Sequence, residues 1–144
     1  MFTGKYNAMD IAKYIVRTTN QNGGCISNLK LQKVLYFVQA EFLVSKGEAC
    51  FMEPIVATNF GPVVRSVYRA FSMFGGASIP YNFENEVIII RPDDAEIING
   101  ILQLTERMSA SYLTQLSMRQ KPYLQTLTGR RIRLDHIYEY FKEE

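Results

Sequence analysis

A mainly α-helical fold with a minor β component is predicted: a compact bundle of about six helices around a central buried helix, with a small two- or three-stranded β element. Three observations carry this expectation. Ser27–Gly47, SNLKLQKVLYFVQAEFLVSKG, reads as one uninterrupted helix. Five further stretches repeat apolar residues at helical spacing between Gly, Pro or capping residues. Strand signals are confined to Ile55–Phe60 and to Val87–Ile90 with the stretch near Ile79–Phe83.

The first helix starts near Asn7, whose side chain suits an N-cap, with Asp10 favourably placed in the first turn. Ile11 and Ile15 mark its buried face, and Asn22-Gly23-Gly24 ends it. The Ser27–Gly47 helix is the most informative segment. At about 100° per residue, Leu31, Val34, Leu35, Val38 and Phe42 fall in one stripe. Leu29, Tyr36, Ala40 and Leu43 form a second stripe nearly opposite. Lys30 and Glu41 occupy one polar edge, and Gln32, Gln39 and Lys46 the other. A helix apolar on two sides is buried between other elements. Lys33 falls inside the second stripe, so it must snorkel, pair with a carboxylate or face a partner.

Ile55–Phe60 is rich enough in β-branched residues for a short strand. Gly61-Pro62 then opens a helix, with glycine permitting the turn and proline suiting the first helical position. Val63, Val67, Phe71 and Phe74 share one face, Arg65 and Arg69 a solvent stripe, and Gly75-Gly76 stops the helix. Val87–Ile90 is expected to be a strand, forming half of a hairpin with Ile79–Phe83. Pro92-Asp93-Asp94 begins a helix marked by Ile97, Ile98, Ile101 and Leu102. Ser109 caps the next, containing Leu113 and Leu116, and Leu134, Ile137 and Phe141 define a closing helix.

The 144 residues fit one domain spanning 1–144. A composition 47% hydrophobic and 21% charged excludes a disordered chain. The sequence shows neither a signal-peptide core nor an apolar run long enough to cross a bilayer, which places it by default in the cytoplasm. Cys25 and Cys50 are then expected as free thiols. A net charge of +2 implies no nucleic-acid partner by itself. Its distribution is uneven. Glu84–Glu106 holds six acidic residues and one basic, whereas Arg107–Leu134 holds six basic residues and no acidic one. These are either two solvated surfaces of opposite sign or a basic patch for an acidic partner.

Catalytic chemistry finds no foothold. His136 is the only histidine, and neither it nor the two cysteines match a catalytic or zinc-binding spacing. Phosphate-binding glycine loops and the GxSxG elbow are absent. The expectation is a protein that binds rather than catalyses, with no cofactor and no metal.

Three segments in the right order are specific enough to compare with a known family. Asn28–Phe37, NLKLQKVLYF, resembles the NLKLQKLLYY signature of the Panacea family of SocA-like, phage-associated antitoxins. Gly61-Pro62-Val63-Val64 with Val67-Tyr68-Arg69 resembles the family's GPVVPEVYR segment, and Met9–Ile15 its opening helix. The resemblance runs from Met9 to Phe74, with a weaker echo beyond. Thr58 stands where the family has tryptophan, and Met118 and Tyr123 stand for a distal histidine and tryptophan. The resemblance implies an antitoxin that neutralises a cognate toxin, encoded by the adjacent gene, through direct protein–protein binding. One mode it implies is an adaptor that delivers the toxin to an AAA+ protease such as ClpXP. The alternative is a nucleic-acid-binding regulator of a prophage or mobile element, using the basic stretch.

Within the signature, Leu29, Leu31, Leu35, Gly61, Pro62 and Val63 read as scaffold. Lys30, Gln32, Lys33 and Arg65 are harder to explain by packing and are expected to contact the partner, joined by Tyr36, Tyr68 and Arg69 because tyrosine and arginine are enriched at binding hot spots.

Overall fold

The computed structural model describes residues 2–143. In chain order the elements are β1 (Gly4–Tyr6), α1 (Ala8–Gln21), α2 (Asn28–Lys46), β2 (Ala49–Phe51), β3 (Val56–Thr58), β4 (Gly61–Val63), α3 (Arg65–Ala70), α4 (Pro92–Thr105), α5 (Ala110–Met118), α6 (Lys121–Leu124) and α7 (Leu134–Phe141). A single 3-10 turn, Ser72–Phe74, follows α3. The protein is mainly helical with a minor β component, and its four short strands form two separate pairs. No helix among the described residues is long and apolar enough to cross a membrane.

The helix ends follow from local chemistry. Asn7 accepts a hydrogen bond from Asp10 N–H at 2.8 Å, Ser27 from Lys30 N–H at 3.2 Å, and Ser109 from Tyr112 N–H at 3.0 Å. Gly47 closes α2 with φ +68°, a left-handed conformation that glycine adopts without Cβ strain. α2 is the axis of the molecule, packed by α1, α4, α5, α7 and β2. Leu31, Val34, Leu35, Val38, Phe42 and Leu43 are all fully buried.

β1 runs parallel to β2, with Gly4 opposite Ala49 and Tyr6 opposite Phe51. β3 and β4 form an antiparallel hairpin with Val56 opposite Val63 and Thr58 opposite Gly61. Arg131 bridges to Val56 on the far side of β3. There Ala57 N–H donates to Arg130 O at 2.9 Å and Ile132 N–H to Ile55 O at 2.8 Å.

Three expectations are corrected. Gly61-Pro62 does not open a helix: it forms β4, and α3 begins only at Arg65. Pairing with β3 supplies the partner that makes this segment extended. Val87–Ile90 is not a strand, and Val87 and Ile89 are 85% and 81% exposed. The chain it should have paired with is held by α1 instead. Asn20 Nδ2 donates to the carbonyls of Ile79 and Tyr81, and Arg17 donates to those of Asn82, Phe83 and Glu86. Finally, the supposed polar edge of α2 is not solvated, because Gln32 and Gln39 are buried.

Candidate partner interface

Strands of three residues satisfy few of their own backbone groups, and buried N–H and C=O groups need partners. α2 supplies them through a row of inward-facing polar side chains. Gln39 Nε2 donates to Phe51 O at 2.7 Å, while its Oε1 accepts from Cys50 N–H at 2.7 Å. One turn and a half earlier, Lys33 Nζ donates to Pro62 O at 2.9 Å. Gln32 Oε1 accepts from Val64 N–H at 2.9 Å, and Gln32 Nε2 donates to Asn28 Oδ1 at 3.0 Å. Asn28 Nδ2 in turn donates to Tyr68 O at 2.9 Å. Tyr36 OH donates to Gln120 Oε1 at 2.8 Å, tying α2 to the start of α6. One helix thus fastens β2, β4, α3 and α6 through five polar side chains.

Lys33 is the unusual member. Its side chain is fully buried, and no carboxylate of the described residues lies within ion-pair distance. Burial disfavours the ammonium and brings its pKa down to about 7. Gly61 lies against it with φ +87°, and a Cβ there would sit 3.2 Å from Lys33 Cε and 3.3 Å from Ser117 Oγ. Burial likewise pushes the Tyr36 hydroxyl above its usual range.

This arrangement divides the residues expected to meet a partner. Gln32, Lys33 and Tyr36 lie inside the molecule and bond to its own chain, so they do not form its outer surface. Their burial is the correction: each side chain completes the backbone or side-chain bonding of a neighbouring element. Lys30 is half-buried and donates to Glu106 O at 3.3 Å, on the wall of an 870 Å³ groove between α1, α2 and α4. Burial lowers its pKa. Arg65, Tyr68 and Arg69 are exposed together on α3. Of the scaffold set, Leu31, Leu35, Gly61, Pro62 and Val63 are buried and Leu29 is half-buried.

Sequence reasoning missed a second exposed region, at the tip of the β3–β4 hairpin. Phe60 projects there at 62% exposure, and Leu124 and Leu127, on the chain that is hydrogen-bonded to β3, are exposed at 64% and 77%. The turn residues Asn59 and Gly61 flanking Phe60 were the available signal, since such residues mark hairpin tips.

The arrangement can be compared with known proteins. The family model described as "Antitoxin SocA-like, Panacea domain" matches residues 31–123. The chain belongs to this family. The match starts within α2 and ends in α6, so it takes in Lys33, the hairpin and α3, and reaches well past Phe74, where the motif resemblance weakens. Antitoxin SocA of Caulobacter vibrioides is 40% identical over 102 residues, covering 64% of this chain and 54% of that protein. The chain therefore spans about half the length of the curated relative it matches. No solved structure matches it.

Proposed function

We propose that this Panacea-domain protein, acting as one unit over residues 1–144, neutralises a cognate toxin by binding it directly in the cytoplasm. The observation that carries this reading is the family match over 31–123. The structure supports it in a specific way. Asn28, Gln32 and Lys33 of the NLKLQK signature bond within the chain, which leaves Lys30 and the exposed residues outside it to recognise another protein. Lys30 at the groove and Arg65, Tyr68 and Arg69 on α3 are the exposed or half-exposed members of the signature that a toxin would meet. The activity is binding rather than catalysis. Delivery of the bound toxin to an AAA+ protease such as ClpXP is the finer form of the proposal.

Co-expression with the adjacent gene tests it. That gene should arrest growth alone, and this chain should relieve the arrest and co-purify with its product. Relief that vanishes in a protease-deficient host, with the complex still forming, identifies the adaptor mode. A neighbour that is harmless alone, or toxicity unrelieved by this chain, refutes the antitoxin reading.

A further inference from the structure

β3, which leads into the hairpin tip, and the chain from α6 to Arg130 are stitched together. Tyr123 OH donates to Thr58 O at 2.7 Å, Gly129 N–H to Ala57 O at 2.7 Å, and Ala57 N–H to Arg130 O at 2.9 Å. Phe60, Leu124 and Leu127 are exposed apolar side chains there, and Arg130 and Arg131 exposed cations. Among the described residues no carboxylate lies within ion-pair distance of either arginine; Asp135, the acid nearest in sequence, is engaged by Arg133. The whole stretch from Arg107 to Leu134 contains no acidic residue. Uncompensated cations and exposed apolar side chains carried on two segments that are cross-linked to each other have the composition of a preorganised binding surface.

We infer that Phe60, Leu124, Leu127, Arg130 and Arg131 form a docking surface for a protein partner that presents carboxylates around an apolar pocket. Charge complementarity selects the acidic partner, because no carboxylate among the described residues neutralises the two arginines. The apolar centre selects a protein over a nucleic acid. Only Phe60 offers a π-face for base stacking, and Leu124 and Leu127 offer neither that nor a donor for phosphate, whereas an apolar anchor with a charged rim is how protein interfaces are built. The chain's small net charge and its acidic 84–106 stretch also give it little general attraction for a polyanion. This surface is made of other residues than Arg65, Tyr68 and Arg69 on α3. Its assignment to a toxin, though not its chemistry, rests on the antitoxin reading.

The experiment has two arms, using the wild-type chain, an Arg130→Glu/Arg131→Glu variant and a Phe60→Ser/Leu127→Ser variant. All substituted side chains are exposed, and unchanged thermal midpoints verify folding. In the first arm, amide NMR shifts are followed at low salt with two probes: a synthetic peptide of interspersed glutamate and leucine, and a random-sequence DNA duplex. Peptide-induced shifts confined to 57–61 and 123–132, and binding weakened about tenfold or more in each variant, support the surface. No peptide binding overturns it, and tighter DNA binding at the same residues reassigns it to nucleic acid. The second arm is relief of toxicity by the three chains. If wild type relieves it and both variants do so equally, the toxin docks elsewhere and this assignment fails while the antitoxin reading stands. If wild type gives no relief, the antitoxin reading fails and the NMR arm alone decides the surface.

Discussion

Replacing Lys33 by methionine should invert the usual effect of losing a polar contact, and should do so as a function of pH. The buried amine has a pKa of about 7, against 10.5 for an ordinary lysine. That difference is worth about 5 kcal/mol against the charged form in the folded state. Between the two values the unfolded chain holds a proton that the folded chain lacks, so stability rises with pH through this window. Below about pH 7 both states are protonated and the full penalty is present. From pH 7 to pH 9 this single group should add about 2 kcal/mol to wild-type stability. The methionine variant loses the bond to Pro62 O, leaving a buried carbonyl unpaired at a cost of roughly 1–3 kcal/mol, but carries no desolvation penalty. It should therefore match or exceed wild type at pH 6, and its standing relative to wild type should fall by roughly 2–3 kcal/mol by pH 9. Urea midpoints for both chains at pH 6, 7, 8 and 9 measure this. Taking the difference between the two removes terms they share, notably Cys50 and Tyr36, whose raised pKa values make stability decline as pH climbs past their ordinary values of 9.0 and 10.0. A difference that stays constant from pH 6 to pH 9 would refute the buried, uncompensated amine.

Three more outcomes follow from the structure. Gly61→Ala places a Cβ against Lys33 and Ser117 at φ +87°, and should lower stability by about 1–3 kcal/mol in thermal melts. Gln32→Leu strands Val64 N–H and the Asn28 side chain, so a loss of about 2–4 kcal/mol is expected in urea titration, with α3 amides exchanging faster. Val87→Ser with Ile89→Ser should leave the thermal midpoint nearly unchanged, since both side chains face solvent, while reducing light scattering at high concentration. A large fall in midpoint would mean that the segment is packed after all.

Local chemistry made the helical framework readable. Asn7, Ser27, Ser109 and Gly47 act at the positions their side chains or backbone freedom suit, and the double apolar stripe of α2 announced its central burial. The errors came where a distant partner decides. Gln32 and Gln39 look like surface residues in a helical wheel. Only the carbonyls and amides of Phe51, Cys50 and Val64, brought in by the fold, turn them inward. The same holds for Gly61-Pro62, whose glycine–proline pair fits a helix start until β3 arrives alongside. Val87–Ile90 had the right residue types for a strand, but Arg17 and Asn20 occupy the chain it would have paired with. A lysine within an apolar stripe is a reasonable signal of something unusual, and in the fold Lys33 is buried and braces the hairpin that carries Phe60, a bond no helical wheel reveals.

The same lysine gives the protein a built-in clock for its own breathing. Acylating reagents must reach the amine nitrogen, and in the folded chain Lys33 is fully buried. It is sealed beneath Gly61 and Pro62, so acylation must wait until the hairpin lifts away from α2. The rate of labelling at Lys33, read by mass spectrometry against the exposed lysines, would thus report how often this joint opens. A partner that clamps the hairpin would slow that rate without ever contacting the lysine.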